Sequence, residues 1–290
     1  MTPMSGVLDW LLVGDAALEE SDGAPGTILA GGAARLALHA AALGAHAALV
    51  AKVGDDEAGR RVREILARHK LDLRWLKIAP GLGTTVWHEP AGHPERRSVT
   101  RGADLALRLD EIPSALAAPA PLTVVSGYSL CVEPARSAAM GALAAARRRH
   151  SRSALLLEAD RLFGTNAHMT RRVLEPALAL ADSVALSSAD VAALFGARVP
   201  GRDALRQLLR FGPKTIYLTE SDGGVLLQEG GRLHRCPADD PHPPRDLYAG
   251  PAAFWVGLAR AVPARKAAVA AVHYAQSVRR AGTPNRAAHL

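Results

Sequence analysis

The sequence predicts an α/β fold over residues 1–290, a single domain with a mostly parallel central sheet flanked by helices and a small β lid. Short apolar runs of strand type alternate with alanine-rich runs of helical length, which is the pattern of β-α-β units. No linker or internal repeat divides the chain. Two stretches, Glu19–Ala30 and Thr84–Thr100, break the alternation and fit a small flap standing off the main sheet.

In chain order, Val7–Val13 reads as a first buried strand, and polar, glycine-rich Glu19–Ala30 as the first lid segment. Ala34–Leu43 is a helix that Gly44 ends, and Ala47–Val53 is a second strand. Asp55 and Asp56 supply capping acids for a helix over Asp56–His69. Thr84–Thr100 alternates like an exposed hairpin and forms the second lid segment. Ile112–Val132 is the longest uncharged run, but Pro113, Pro119 and Pro121 break it, so it is a loop feeding a strand over Leu122–Ser126. A helix over Ala135–Arg149 follows, with further strands at Ala154–Glu158, Ser183–Ser187 and Thr215–Thr219.

Composition narrows the class. With 49% hydrophobic and 22% charged residues the chain buries a sizeable core and is not a disordered one. Two cysteines, Cys131 and Cys236, cannot staple 290 residues, so reduced thiols are expected. The net charge of +7 comes mostly from arginine, since only five of the 35 basic residues are lysine. The densest runs, Arg147–Arg149 and Arg279-Arg280, fall where helices end and positive charge suits the helix dipole. No nucleic-acid partner is expected, because basic residues do not cluster with aromatics. Without a targeting or membrane-spanning segment, the expectation is a soluble, cytoplasmic protein.

Four segments carry chemistry. In Ala30-Gly31-Gly32-Ala33-Ala34-Arg35, paired glycines enter a helix, letting backbone approach a ligand and leaving free amides at the helix start. In Lys52-Val53-Gly54-Asp55-Asp56, a strand ends in glycine and capping acids. In Ile216–Leu227, a strand, the turn Thr219-Glu220-Ser221-Asp222-Gly223-Gly224 and a second strand suit a nucleotide edge or a plain hairpin. In Asp246–Leu258, a loop runs into an apolar helix whose first amides are placed to cradle an anion.

Their order and spacing resemble the ribokinase, or PfkB, family of carbohydrate kinases across nearly the whole chain. Arg101-Gly102-Ala103-Asp104, Ser126-Gly127-Tyr128 and Leu156–Asp160 extend the match, and the glycine-pair segment and the Thr-x-Ser turn look most like the heptose-phosphate kinase branch. The resemblance implies a ribokinase-like three-layer sandwich, with a sugar site under the lid and ATP across the last strands. It places Asp15, Glu19, Gly31, Gly32 and Arg35 on the substrate side. Thr219, Ser221, Gly224, Asp246, Ala249, Gly250 and Ala252 fall on the nucleotide side, and Asp190 at the metal position.

The chain also departs from that family. A Gly-Ala-Gly-Asp segment, whose Asp takes the acceptor's proton and whose amides stabilise transferring charge, corresponds to Ala249-Gly250-Pro251-Ala252. Ala252 cannot accept a proton and Pro251 has no N–H. Arg35 stands where the family keeps Asn, suited either to a substrate phosphate or to a surface salt bridge, and Ser187-Ser188-Ala189-Asp190 replaces Asn-x-x-Glu. A positioned base contributes about 10²–10⁴-fold. An oxyanion-type donor contributes about 10²–10³-fold. Losing both raises the barrier by about 5–9 kcal/mol if the effects are independent.

The first expectation is therefore an impaired kinase, with no catalytic residue, that binds a sugar, sugar phosphate or nucleotide, in a homodimer or with an active relative. The second is an active kinase using ATP and Mg²⁺, with its base relocated to Asp246, Asp240 or His242. The third is a ligand-free interaction protein, its pocket filled by Arg35 or Tyr248.

Overall fold

A computed structural model describes residues 8–21, 28–90, 97–112, 122–159 and 167–281. The first half holds β1 (Trp10–Val13), β2 (Ala17–Ser21), β3 (Ile28–Ala30), α1 (Gly32–Ala42), β4 (Ala47–Gly54), α2 (Glu57–Ala67), β5 (Leu71–Asp72), β6 (Leu76–Ala79), β7 (Val86–Glu89), β8 (Ser98–Thr100) and β9 (Leu122–Ser126). The second half holds α3 (Ala135–Arg148), β10 (Arg152–Leu156), α4 (Ala167–Leu178), β11 (Ser183–Ser187), α5 (Ser188–Phe195), α6 (Gly201–Leu209), β12 (Thr215–Thr219), β13 (Val225–Glu229), β14 (Arg232–Cys236), α7 (Ala249–Ala259) and α8 (Ala264–Ala281).

The large sheet runs β14-β13-β12-β11-β10-β9-β1-β4-β5, with β6 also on β4. It is parallel from β12 to β5, and only β13 and β14 turn back. Central strands are mostly apolar because both faces are covered. Trp10 and Leu12 of β1 pack with α1, α2, α7 and α8, while Leu11 and Val13 pack with α3, α4, α5 and α6. Helices on both faces of one sheet give the three layers expected.

Both lid segments form strands of a separate small sheet in the order β3-β2-β7-β8. β2 pairs antiparallel with β3 and β7 with β8, and β2 joins the two hairpins in parallel with β7. Residues 22–27 and 91–96 of those segments, residues 113–121 of the loop before β9, Val7 and Asp160 lie outside the described residues.

Several boundaries differ from the sequence expectation by a few residues, and two of the differences have a local reason. The strand predicted over 154–158 instead spans Arg152–Leu156, and Glu158 adopts φ 48°, which ends extended structure. The helix predicted from Ala34 begins at Gly32, because Asp15 caps it from the end of β1. The cap expected of Asp56 is present: its Oδ1 accepts from the Gly59 amide at 2.8 Å and the Thr84 hydroxyl at 2.6 Å.

Candidate active site

The loops that leave the C-terminal ends of β1, β9, β10, β11 and β12 open on one edge of the sheet. That edge is where parallel α/β sheets place their sites. The starts of α1 and α7 come to the same edge.

The glycine pair works differently from expectation. Gly31 has φ 90°, and a Cβ there would lie 2.7 Å from the Asp15 carbonyl oxygen. The α1 amides expected to be free are occupied: Asp15 Oδ2 accepts from Gly32 N at 2.9 Å and Oδ1 from Ala33 N at 3.2 Å. A carboxylate one residue past Gly14 reaches the positive helix start and takes the place an anionic ligand would have. Gly32 in turn admits a side chain, since a Cβ there would lie 2.5 Å from Glu158 Oε2. Glu158 is 5% exposed; its Oε2 accepts from Ser126 Oγ at 2.6 Å and its Oε1 from the Tyr248 hydroxyl at 3.1 Å.

Arg35 and His39 lie one turn apart on α1 and both meet Asp246 Oδ2, His39 Nε2 at 2.8 Å. Arg35 Nη1 also donates to the Leu29 carbonyl at 3.2 Å, and its guanidinium lies 5.4 Å from the centre of the Tyr248 ring. His39 Nδ1 is 3.1 Å from the Tyr274 hydroxyl on α8. Asp246 Oδ1 accepts from the Tyr248 amide at 3.0 Å. Burial would raise the Asp246 carboxyl, but the hydrogen bond from His39 and the Arg35 charge outweigh it and hold it well below the usual carboxylate range. Of the two readings of Arg35, the structure shows the salt bridge, and it is internal rather than on the surface.

At the start of α7, Ala249 and Ala252 are fully buried, and the Ala252 methyl joins the apolar cluster around Trp255. Ala252 N donates to the Tyr248 carbonyl at 3.0 Å, and Pro251 offers no amide. A Cβ on Gly250 would lie 2.6 Å from the Tyr217 hydroxyl, so glycine admits that ring. Asp190 is spent on local structure. Its Oδ1 accepts from Ala159 N at 2.6 Å, and its Oδ2 from Ser187 N and Ser187 Oγ at 2.7 and 2.8 Å, closing a capping box on α5. Among the described residues, no three His, Cys, Asp or Glu side chains gather to hold a metal ion. The residues present at the Asp190 position do not fit Mg²⁺.

On the nucleotide side, Thr219, Gly223, Asp240, His242, Asp246 and Gly250 line a groove against Gln276 and Arg279 of α8. Asp240 bridges it. The carboxylate pairs with Arg279 and with His242 Nδ1 at 2.7 Å. The Gln276 carboxamide, turned with its oxygen toward donors, accepts from Asp240 N at 2.9 Å. Gly224 N donates to Asp222 Oδ1 at 2.9 Å, and Ser221 is exposed at the turn. The three candidates for a relocated base, Asp246, Asp240 and His242, are thus all paired to other side chains.

Glu19 belongs to the small sheet, where Arg97 pairs with it at 2.6 Å; it does not join the glycine pair. Beneath that sheet Asp104 is 1% exposed and accepts from the Thr85 hydroxyl, while its Oδ2 has no partner among the described residues. Burial and the nearby Asp15 charge push its carboxyl up to about 8, against the Thr85 hydrogen bond. The folded state then binds the proton more tightly than the unfolded chain, so stability falls as pH rises from about 4 toward 8. Asp104→Asn is expected to flatten that slope and to melt above the parent at pH 8, checked by thermal melts across the range.

Sequence reasoning missed His39, and it passed over Glu158 as part of a longer strand. The available signals were a histidine four residues after Arg35 on one helix and a carboxylate ending an all-apolar run.

Comparison with known proteins agrees with this architecture. Residues 19–285 match the pfkB family of carbohydrate kinases. The chain belongs to that family. It is 30% identical over 236 residues to a fructokinase of Klebsiella pneumoniae, covering 79% of this chain and 76% of that protein. It superposes on a PfkB protein from Polaromonas sp. JS666 with a TM-score of 0.80 at 16% identity, over 97% of this chain and 98% of the other. It also superposes on a fructokinase from Vibrio cholerae O395 in its fructose-, ADP- and calcium-bound form, with a TM-score of 0.75 at 22% identity over 93% and 91% of the two chains.

Proposed function

We propose that this chain is a carbohydrate-kinase homologue that has lost efficient phosphoryl transfer and acts by binding a sugar. The observation that carries the reading is the start of α7. The residue in the base position, Ala252, is a buried methyl group, and the residue before it lacks an amide. The spent oxygens of Asp190 and the internal pairing of Asp246 support it. The sugar class is supported by the family and by the fructokinase relatives. The reading includes ATP as at most a weak ligand, because Asp240 is tied to Arg279 across the groove, and a cytoplasmic location. Among the described residues no helix is long and apolar enough to cross a membrane.

Calorimetry with hexoses, heptose phosphate, ATP and ADP tests this. At least one sugar is expected to bind with a dissociation constant in the millimolar range or tighter, and ATP to bind more strongly to Asp240→Ala than to the parent. Failure of every sugar contradicts the reading. One observation favours a second reading, a ligand-free interaction protein: Arg35 lies over the Tyr248 ring, and both occupy the space between α1 and α7. Binding of no sugar or nucleotide, with full thermal stability, selects that alternative.

A further inference from the structure

We infer that the chain holds a second ligand site, at the ends of the central strands opposite the candidate active site, and that it takes a small organic anion: an oxyanion carried on an apolar or ring body. The inference is independent of the sugar-binding reading. A cavity, two anchored guanidiniums and the local charge balance lead to it.

The cavity measures about 750 Å³. Sites for small molecules run from about 300 to 1,000 Å³. One wall is made by the first residues of four neighbouring strands: Leu122 of β9, Arg152 of β10, Ser183 of β11 and Thr215 of β12. The loops of the candidate active site leave the other ends of these strands. The facing wall is the end of α7 and the turn into α8, from Leu258 to Pro263. The space stays open because small residues, Ala179, Ala181, Gly212, Ala259 and Ala261, occupy the surrounding helix ends and turns.

Two guanidiniums line the cavity and are already anchored. Arg147, in the last turn of α3, donates through Nη1 to the Ala179 carbonyl at 2.7 Å, and Arg152 donates through Nη1 to the Leu258 carbonyl of α7. Each bond restrains a long side chain, so less rotamer freedom is lost when a ligand arrives. A guanidinium has five N–H donors, and each of these uses one on a backbone carbonyl. His150, at φ 55° in the turn after α3, adds an imidazole to the same wall.

The charge balance favours an anion. Lys214 and Asp182, both in the lining, answer one another, with Nζ 3.1 Å from Asp182 Oδ1. Asp182 Oδ2 accepts from Ser153 N and Ser153 Oγ at 3.1 and 3.0 Å. Arg147 and Arg152 then stand against Glu229 as the remaining fixed charges of the described lining. The carbonyls that the two arginines cap are neutral dipoles, and a carboxylate or phosphate is the stronger acceptor. Leu180, Leu258 and Val262 offer apolar surface to the body of the ligand. A bare inorganic ion leaves that surface unused, and a neutral molecule leaves the guanidinium charges unmatched.

Calorimetry of the intact chain with 1-naphthyl phosphate, 1-naphthoate, neutral 1-naphthylmethanol and inorganic phosphate tests the inference. At least one naphthyl anion is expected to bind at least about tenfold more tightly than both the neutral alcohol and inorganic phosphate. Which of the two binds better tells whether the site prefers a phosphate ester or a carboxylate. Arg152→Gln is expected to weaken that binding at least about tenfold. Ala259→Trp, which fills the cavity and keeps both guanidiniums, is expected to do the same. Thermal melts establish that each variant is folded, and Ala259→Trp carries the test if Arg152→Gln does not fold. Binding of neither naphthyl anion, or of the alcohol as tightly as the anions, overturns the inference. Unchanged affinity in folded Ala259→Trp also overturns it, by placing the anion outside this cavity.

Discussion

The double variant Pro251→Gly, Ala252→Asp is expected to phosphorylate a bound sugar at least about 10²-fold faster than the parent, the lower limit of what a positioned base contributes. Both changes are needed together. Asp at 252 supplies a proton acceptor, but Ala252 is fully buried within the apolar cluster, so a carboxylate there must turn toward the cleft. Glycine at 251 gives the helix start the freedom for that turn and restores one amide facing the transferring charge. Ala252→Asp alone is expected to gain less and to lose stability, because it places a charge against apolar neighbours. Pro251→Gly alone is expected to gain little, having no base. The check is ADP release with each sugar that binds. No gain in a folded double variant would show that the defect lies elsewhere than at the start of α7.

The second large effect concerns the bridge between α1 and the loop before α7. Asp246→Ala is expected to cost about 3–5 kcal/mol of stability at neutral pH, the range for removing one partner from a buried ion pair. The loss is large because Asp246 meets Arg35, His39 and the Tyr248 amide at once and is 6% exposed. The Asp246 carboxyl is depressed in the folded state. Its contribution is therefore fully present above the unfolded value near 4 and fades as pH falls below that toward the folded one. Urea unfolding at pH 7 and again near pH 3 checks both statements. The gap between parent and variant is expected to be full at pH 7 and to narrow at pH 3. An equal gap at both pH values would contradict the ionised-pair account.

How far the sequence reveals these features differs from one to the next. The parallel core was legible because its strands are short apolar runs separated by helices with visible caps, as at Asp56 and Gly44. The small sheet was legible as an interruption of that rhythm, and Ala17–Ser21 with Val86–Glu89 now accounts for it. The residue types at positions 251 and 252 were legible from identity alone, since proline offers no amide N–H and alanine no proton acceptor in any geometry. Pairings between distant segments were not. Arg35 and Asp246 are 211 positions apart, and nothing local shows that a guanidinium is neutralised within the fold rather than offered to a ligand. The resemblance places Asp15 on the substrate side, and nothing local shows that the closing of β1 against α1 makes it a helix cap. From sequence Glu158 reads as the end of a strand, and its φ of 48° is not legible from its residue type.

The most direct measurement is transfer of labelled γ-phosphoryl from ATP to a sugar by the unaltered protein, at saturating sugar and with Mg²⁺ supplied. Ordinary kinases turn over at about 1–100 per second. A barrier higher by 5–9 kcal/mol, as estimated for a missing base and donor, predicts transfer below about 10⁻² per second. Turnover in the ordinary range on any sugar would contradict the account.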